Sequence, residues 1–108
     1  MFCVVYVMKV RPSQEDVFRK AWHQVTQDVM EHHGSLGARL HKSDCGAFIA
    51  YAQWSDREKW MSGHLYIEAR TRQLHIESCL EELPATLLKL NVLDDLLQVA
   101  SDGTGGNL

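Results

Sequence analysis

Cysteine, proline and uninterrupted apolar sequence are all scarce in this chain. Its three cysteines, Cys3, Cys45 and Cys79, are odd in number and lie far apart. None forms a CxxC pair, which argues against a disulfide framework, a thiol-exchange motif or a cysteine zinc site and leaves them as small core hydrophobes or inert thiols. The two prolines, Pro12 and Pro84, make no linker. No apolar run approaches the roughly 18 residues that cross a bilayer. The opening FCVVYVM lacks the basic lead-in and small-residue cleavage site of a secretory signal. Absent too are a phosphate-binding glycine loop, a Ser/His/Asp constellation and carboxylates paired at a useful spacing. Net charge is −3, with acids and bases interspersed and no basic stripe to neutralise phosphates. The expectation is a soluble protein of a reducing compartment, the cytoplasm, with neither nucleic acid nor membrane as partner.

What is present suits one small globular domain: 108 residues, 45% hydrophobic and 23% charged. That domain is expected over residues 1–97, and the polar end, residues 98–108, is expected to be a disordered tail. FCVVYVMKV, rich in β-branched and aromatic residues, predicts a strand over 2–10. Ser13 and Asp16 resemble a capping box, and Phe18, Trp22, Val25 and Val29 follow at the spacing of one helical face. Gly34 stands where a left-handed residue would end that helix. Residues 36–54 predict a β-hairpin, with SDCG at its turn and Leu36, Ala38 and Leu40 alternating against Arg39 and His41. Ser55 and Glu58 repeat the capping signature, opening a short helix to about Met61 that Ser62-Gly63 breaks. A longer helix runs from His64, with Tyr66, Ala69, Gln73, Ile76, Leu80 and Leu83 along one face, until Pro84 ends it. A last strand is expected over 86–97. The order βαββαβ predicts an α+β, ferredoxin-like antiparallel sheet with both helices on one face.

Strand parity adds a consequence. Phe2, Val4, Tyr6 and Met8 point one way and Cys3, Val5 and Val7 the other; Phe48, Ala50, Ala52 and Trp54 likewise oppose Ala47, Ile49, Tyr51 and Gln53. Both faces are largely apolar, yet the helices cover only one. Leaving the other wet forgoes about 25 cal/mol per Å², so a homodimer stacked through the sheet face is expected.

The strand, the Pro12-Ser13 entry to a helix bearing Trp22, HHGSLGARLHKS, IAYAQWSDREKW and the closing LNVLDDLL together resemble the antibiotic biosynthesis monooxygenase (ABM)-like proteins over roughly residues 2–97. That resemblance implies a dimeric α+β barrel. It also implies a monooxygenase acting on a small aromatic, phenol- or quinol-like ligand with no cofactor and no metal. Trp54, ending a strand, is expected to staple the next helix. Trp60 is expected over the cavity mouth as a stacking ring, Tyr66 as a phenolic hydrogen-bonding group and His64 as a base. Tyr6, Arg39, His41, Tyr51 and Asp56 are candidate substrate-binding residues. Asp56 departs from the family pattern, because a carboxylate accepts where some members carry a donating amide. Haem-degrading members place an asparagine, a tryptophan and a histidine where this chain has Tyr6, Trp60 and Arg70, which argues against haem breakdown. The alternative from another class is a non-catalytic barrel that binds a small apolar ligand in a stress or regulatory role. The histidines give no metal-ligand spacing: His32 and His33 splay apart, and His23 and His75 are isolated.

Overall fold

A computed structural model describes residues 1–97. β1 (Phe2–Met8) leads through a single 3-10 turn, Pro12–Gln14, into α1 (Glu15–His32). The hairpin β2 (Ser35–Lys42) and β3 (Phe48–Trp54) follows, then α2 (Arg57–Gln73), a 3-10 turn over Ile76–Cys79, and β4 (Ala85–Asn91). The sheet order is β2-β3-β1-β4 with every pairing antiparallel. This is the predicted ferredoxin-like α+β arrangement. The expected disordered tail over 98–108 lies outside the described residues.

Parity sorts the strands as predicted. Phe2, Val4, Met8, Phe48, Ala50, Ala52 and Trp54 are buried beneath the helices, joined by Phe18, Val25 and Val29 of α1. One departure is Leu36. The β2–β3 register shifts between Ser35 and Gly37, so Leu36 is the extra residue of a bulge and lies 51% exposed. Gly37 takes φ +120°, and Gly34, just beyond α1, takes +80°.

Both helix starts differ from the capping expectation. Ser13 sits inside the 3-10 turn, and Gln14, which precedes α1, makes no side-chain cap bond. At α2 the cap is Asp56, one residue beyond Ser55: its carboxylate accepts from Lys59 N at 2.8 Å. The predicted break at Ser62-Gly63 does not occur, and α2 runs through it. The reason is tertiary. A Cβ at Gly63 would fall 2.6 Å from Cζ3 of Trp54, so glycine is there to admit the indole. α2 then ends at Gln73, ten residues before the predicted Leu83, where His75 adopts a left-handed φ of 55°. β4 stops at Asn91 rather than 97.

The outer sheet face carries Val5, Val7, Ile49 and Tyr51, half-exposed, with Leu88 and Leu90 of β4 49% and 39% exposed. The segment after β4 turns back along one end of this face. Residues 91–97 border a groove of about 570 Å³ with Cys3, Tyr51 and Gln53. Cys3 is thereby only 2% exposed, while Leu93, Leu96 and Leu97 stay largely in solvent. Among the described residues no helix is long and apolar enough to cross a membrane.

Candidate functional site

Between the helices and the sheet lies a cavity of about 400 Å³, within the range of small-molecule sites. Its existence follows from side-chain size. Ala38, Ala50 and Ala52 form the middle of the sheet's inner face, where larger residues would meet the helices. Trp54 stands at one end of this alanine floor and Met8 towards the other. α1 contributes Trp22, Val25 and Thr26; α2 contributes His64, Ile67, Glu68 and Thr71.

The polar wall is built from β1 and α2. Tyr6 lines the cavity and accepts a 2.8 Å hydrogen bond on its Oη from Nε1 of Trp60. A phenol that accepts in this way keeps its own proton to donate. Burial pushes the Tyr6 pKa up, the Trp60 bond draws it partly back, and the nearby Glu68 charge raises it again. Tyr6 is therefore a neutral donor at ordinary pH. His64 lies parallel to the Tyr6 ring, with centroids 6.4 Å apart, and 5.2 Å from Trp60. Its Nε2 faces Glu68 Oε2 at 3.8 Å, one helical turn on. Its Nδ1 is buried with no partner among the described residues.

Of the residues singled out by sequence, Tyr6 and His64 meet at this wall. Trp60 stands behind them: 6% exposed, it packs against Phe2, carries Lys89 Nζ 5.0 Å over its ring and does not line the cavity. Tyr66 faces α1 instead, its hydroxyl donating to Asp28 Oδ2 at 3.1 Å and its ring stacked on His33 at 4.2 Å. Asp28 also pairs with Arg70 at 3.5 Å. Arg39, His41 and Tyr51 occupy the outer face, away from the cavity. His41 Nδ1 lies 3.2 Å from the Ile49 carbonyl oxygen, and Tyr51 Oη contacts Cys3 Sγ at 3.1 Å and accepts from Gln53 Nε2 at 3.2 Å. Asp56 caps α2. Sequence reasoning missed Glu68 and Thr71. Their signal was the i, i+4 step from His64 to Glu68, obscured by restarting the helix at His64. Among the described residues no cluster of three or more His, Cys, Asp or Glu could hold a metal ion.

A model of the antibiotic biosynthesis monooxygenase family matches residues 1–65, from β1 into α2. No curated protein is matched. Among solved structures, Rv0793 from Mycobacterium tuberculosis is 15% identical, with 89% of this chain and 98% of that one covered and a TM-score of 0.72. A provisionally named antibiotic biosynthesis monooxygenase from Caulobacter crescentus is 17% identical, with 86% and 90% covered and a TM-score of 0.74. A variant of SnoaB, a cofactor-independent oxygenase from Streptomyces nogalater, is 11% identical, with 90% and 97% covered and a TM-score of 0.70. At these identities the likeness speaks for the fold, whereas the family match covers more than half of the sequence. The chain belongs to the antibiotic biosynthesis monooxygenase family.

Proposed function

We propose that this protein is a monooxygenase that oxidises a small phenol- or quinol-like aromatic in the cavity between helices and sheet, without cofactor or metal. The observation that carries this reading is the meeting of a free phenolic donor, Tyr6, with the imidazole of His64 on one wall of a mostly apolar chamber. His64 takes the substrate's phenolic proton, and the nearby Glu68 carboxylate steadies the resulting imidazolium. Tyr6 donates to the phenolate oxygen. The electron-rich ring then reduces molecular oxygen. One oxygen atom is inserted at a ring C–H to give a quinone-type carbonyl, and the other leaves as water with that ring hydrogen and the phenolic proton. Trp60 acts through Tyr6 as a positioning residue. Family membership and the likeness to SnoaB, itself named a cofactor-independent oxygenase, support the reaction class.

A non-catalytic binder is favoured by one observation, the predominance of apolar side chains around the chamber. The reading also includes a two-fold homodimer through the outer sheet face, supported by the exposed Leu88 and Leu90 beside Val5 and Ile49.

Oxygen uptake with 1-naphthol decides between catalysis and binding. The expected result is turnover that falls about 100-fold in His64→Ala and Tyr6→Phe. Binding without uptake across phenols and quinols, or variants as active as the parent, would overturn the oxygenase reading.

A further inference from the structure

An irregularity of the sheet turns a hydroxyl of the edge strand into the cavity. The β1–β4 register shifts between Val5 and Tyr6: Val5 pairs with Leu88 and Tyr6 with Thr86, so Leu87 is the extra residue of a bulge. In an unbroken ladder Leu87 would stand opposite Tyr6 on the inner face. With the bulge, Leu87 is 55% exposed and Thr86 lines the cavity in its place. Bulges at sheet edges re-aim side chains in this way, often next to a site. The exchange puts a small polar group, able both to donate and to accept, where a leucine would otherwise lie.

Thr86 is open to a ligand, because the cavity opens beside it. Tyr66 and Arg70 reach across to Asp28 on α1. Glu68 and Arg72, each two residues further on, lie about 200° round the helix and so on the side away from α1. Exposed lining residues gather on that side: Glu68 and Arg72 of α2, then Leu83, Pro84 and Thr86. The mouth therefore lies between α2 and β4.

Register also fixes where Thr86 stands relative to Tyr6. Directly opposed residues on antiparallel strands have Cβ atoms about 4.5–5.5 Å apart. Thr86 is thus beside the Cβ of Tyr6, while the Tyr6 hydroxyl lies one para-substituted benzene ring away, at Trp60. A ligand ring laid along the Tyr6 side chain, with its phenolic oxygen at Tyr6 Oη and His64, brings its own para carbon to Thr86.

We infer that Thr86 is a specificity-determining residue: its hydroxyl holds an oxygen atom at the ring position para to the phenolic oxygen, and so directs oxygen entry to that carbon. The inference rests on the oxygenase reading of this cavity and adds a regiochemistry that the reaction class does not impose. For 1-naphthol the carbon is C4. One atom of molecular oxygen becomes the C4 carbonyl, and the other leaves as water with the C4 hydrogen and the phenolic proton. The four electrons lost by the naphthol are the four gained by oxygen. The product is 1,4-naphthoquinone rather than the 1,2 isomer.

Two isomeric probes test the contact without turnover: 4-methoxy-1-naphthol and 3-methoxy-1-naphthol, titrated in the absence of oxygen. They differ only in where the second oxygen sits. The 4-methoxy isomer is expected to bind about fivefold more tightly to the wild-type protein. That preference should vanish in Thr86→Val, which keeps the branched shape and deletes the hydroxyl, and persist in Thr86→Ser, which keeps the hydroxyl. With 1-naphthol and oxygen, the wild type should yield 1,4-naphthoquinone and Thr86→Val a mixture with the 1,2 isomer. Equal affinities for the two isomers, no binding of either, or a preference that survives Thr86→Val would overturn the inference. Failure of oxygen uptake with the preference intact leaves the Thr86 contact standing and sinks only the oxygenase reading. Uptake without the preference sinks only the role of Thr86.

Discussion

Nε1 of Trp60 donates a 2.8 Å hydrogen bond to Oη of Tyr6, joining a helix residue to a strand residue 54 positions away in sequence. The bond fills the acceptor side of the phenol and frees its proton for the cavity. It also favours the ionised phenol and so partly offsets the rise that burial imposes on the Tyr6 pKa. Trp60→Phe should therefore raise the Tyr6 pKa further, even though the ring position is kept. Phenolate absorbance near 295 nm, compared with and without Tyr6→Phe, measures this. A Tyr6 transition that stays where it was, or moves down, would remove Trp60 from its positioning role.

All three tyrosines titrate above their ordinary range, each for its own reason. Burial dominates for Tyr6, the Cys3 hydrogen bond for Tyr51, and lost hydration followed by the Asp28 bond for Tyr66. A folded-state pKa above the unfolded one means that the folded protein holds the proton more tightly. The stability this contributes is fully present below about pH 10, the unfolded value. It is lost as pH rises through the raised folded values. Urea midpoints should be flat in this respect between pH 8 and 9.5 and fall above pH 10.

Gly63→Ala places a methyl within the Trp54 ring. Alanine is the better helix former by up to about 1 kcal/mol, so on an exposed helix face the change would stabilise. Here overpacking should win, with a net loss of about 1–3 kcal/mol in chemical denaturation. A stabilised variant would show that Trp54 does not seat against α2 as described.

Asp56 is a helix cap by its 2.8 Å bond to Lys59 N. Asp56→Ala should cost about 0.5–2 kcal/mol, while Asp56→Asn, an equally good cap, should leave stability nearly unchanged. Neither should alter ligand affinity. A large affinity change in Asp56→Asn at constant stability would restore Asp56 to the ligand site.

For the proposed dimer, sedimentation at micromolar concentration should give about twice the chain mass of 12.3 kDa. Val5→Lys on the outer face should shift it to monomer. A stable monomer of the unaltered chain would end the dimer proposal.

The strands and the first helix were legible because their patterns are local. Alternation in FCVVYVM and FIAYAQW gave the inner and outer faces, and Phe18, Val25 and Val29 gave the buried side of α1. Ser62-Gly63 misled for a tertiary reason. Glycine is a poor helix former, and nothing nearby in sequence announces that an indole from β3 occupies the missing Cβ. Restarting the helix at His64 then shifted attention to Tyr66 and away from Glu68, which shares the cavity wall with His64. The sequence offers Trp60 as a ring for ligand because aromatic residues near a helix start give no sign of which side they face. Arg39, His41 and Tyr51 share a strand parity that the hairpin pattern did reveal; only the comparison with Trp54 and Ala50 tells that this parity is the outer one. The Leu36 bulge has no local signature beyond Gly37.

The alanine floor separates two properties that are usually entangled. Capacity is set by the methyl groups of β2 and β3, whereas the proton handling proposed above belongs to β1 and α2. Enlarging Ala38, Ala50 or Ala52 one step at a time would trim the guest that fits while leaving the ionisable pair in place. Relatives sharing this architecture could therefore diverge in what they accept by exchanging single small residues, with the corner formed by Tyr6, His64 and Glu68 carried over intact.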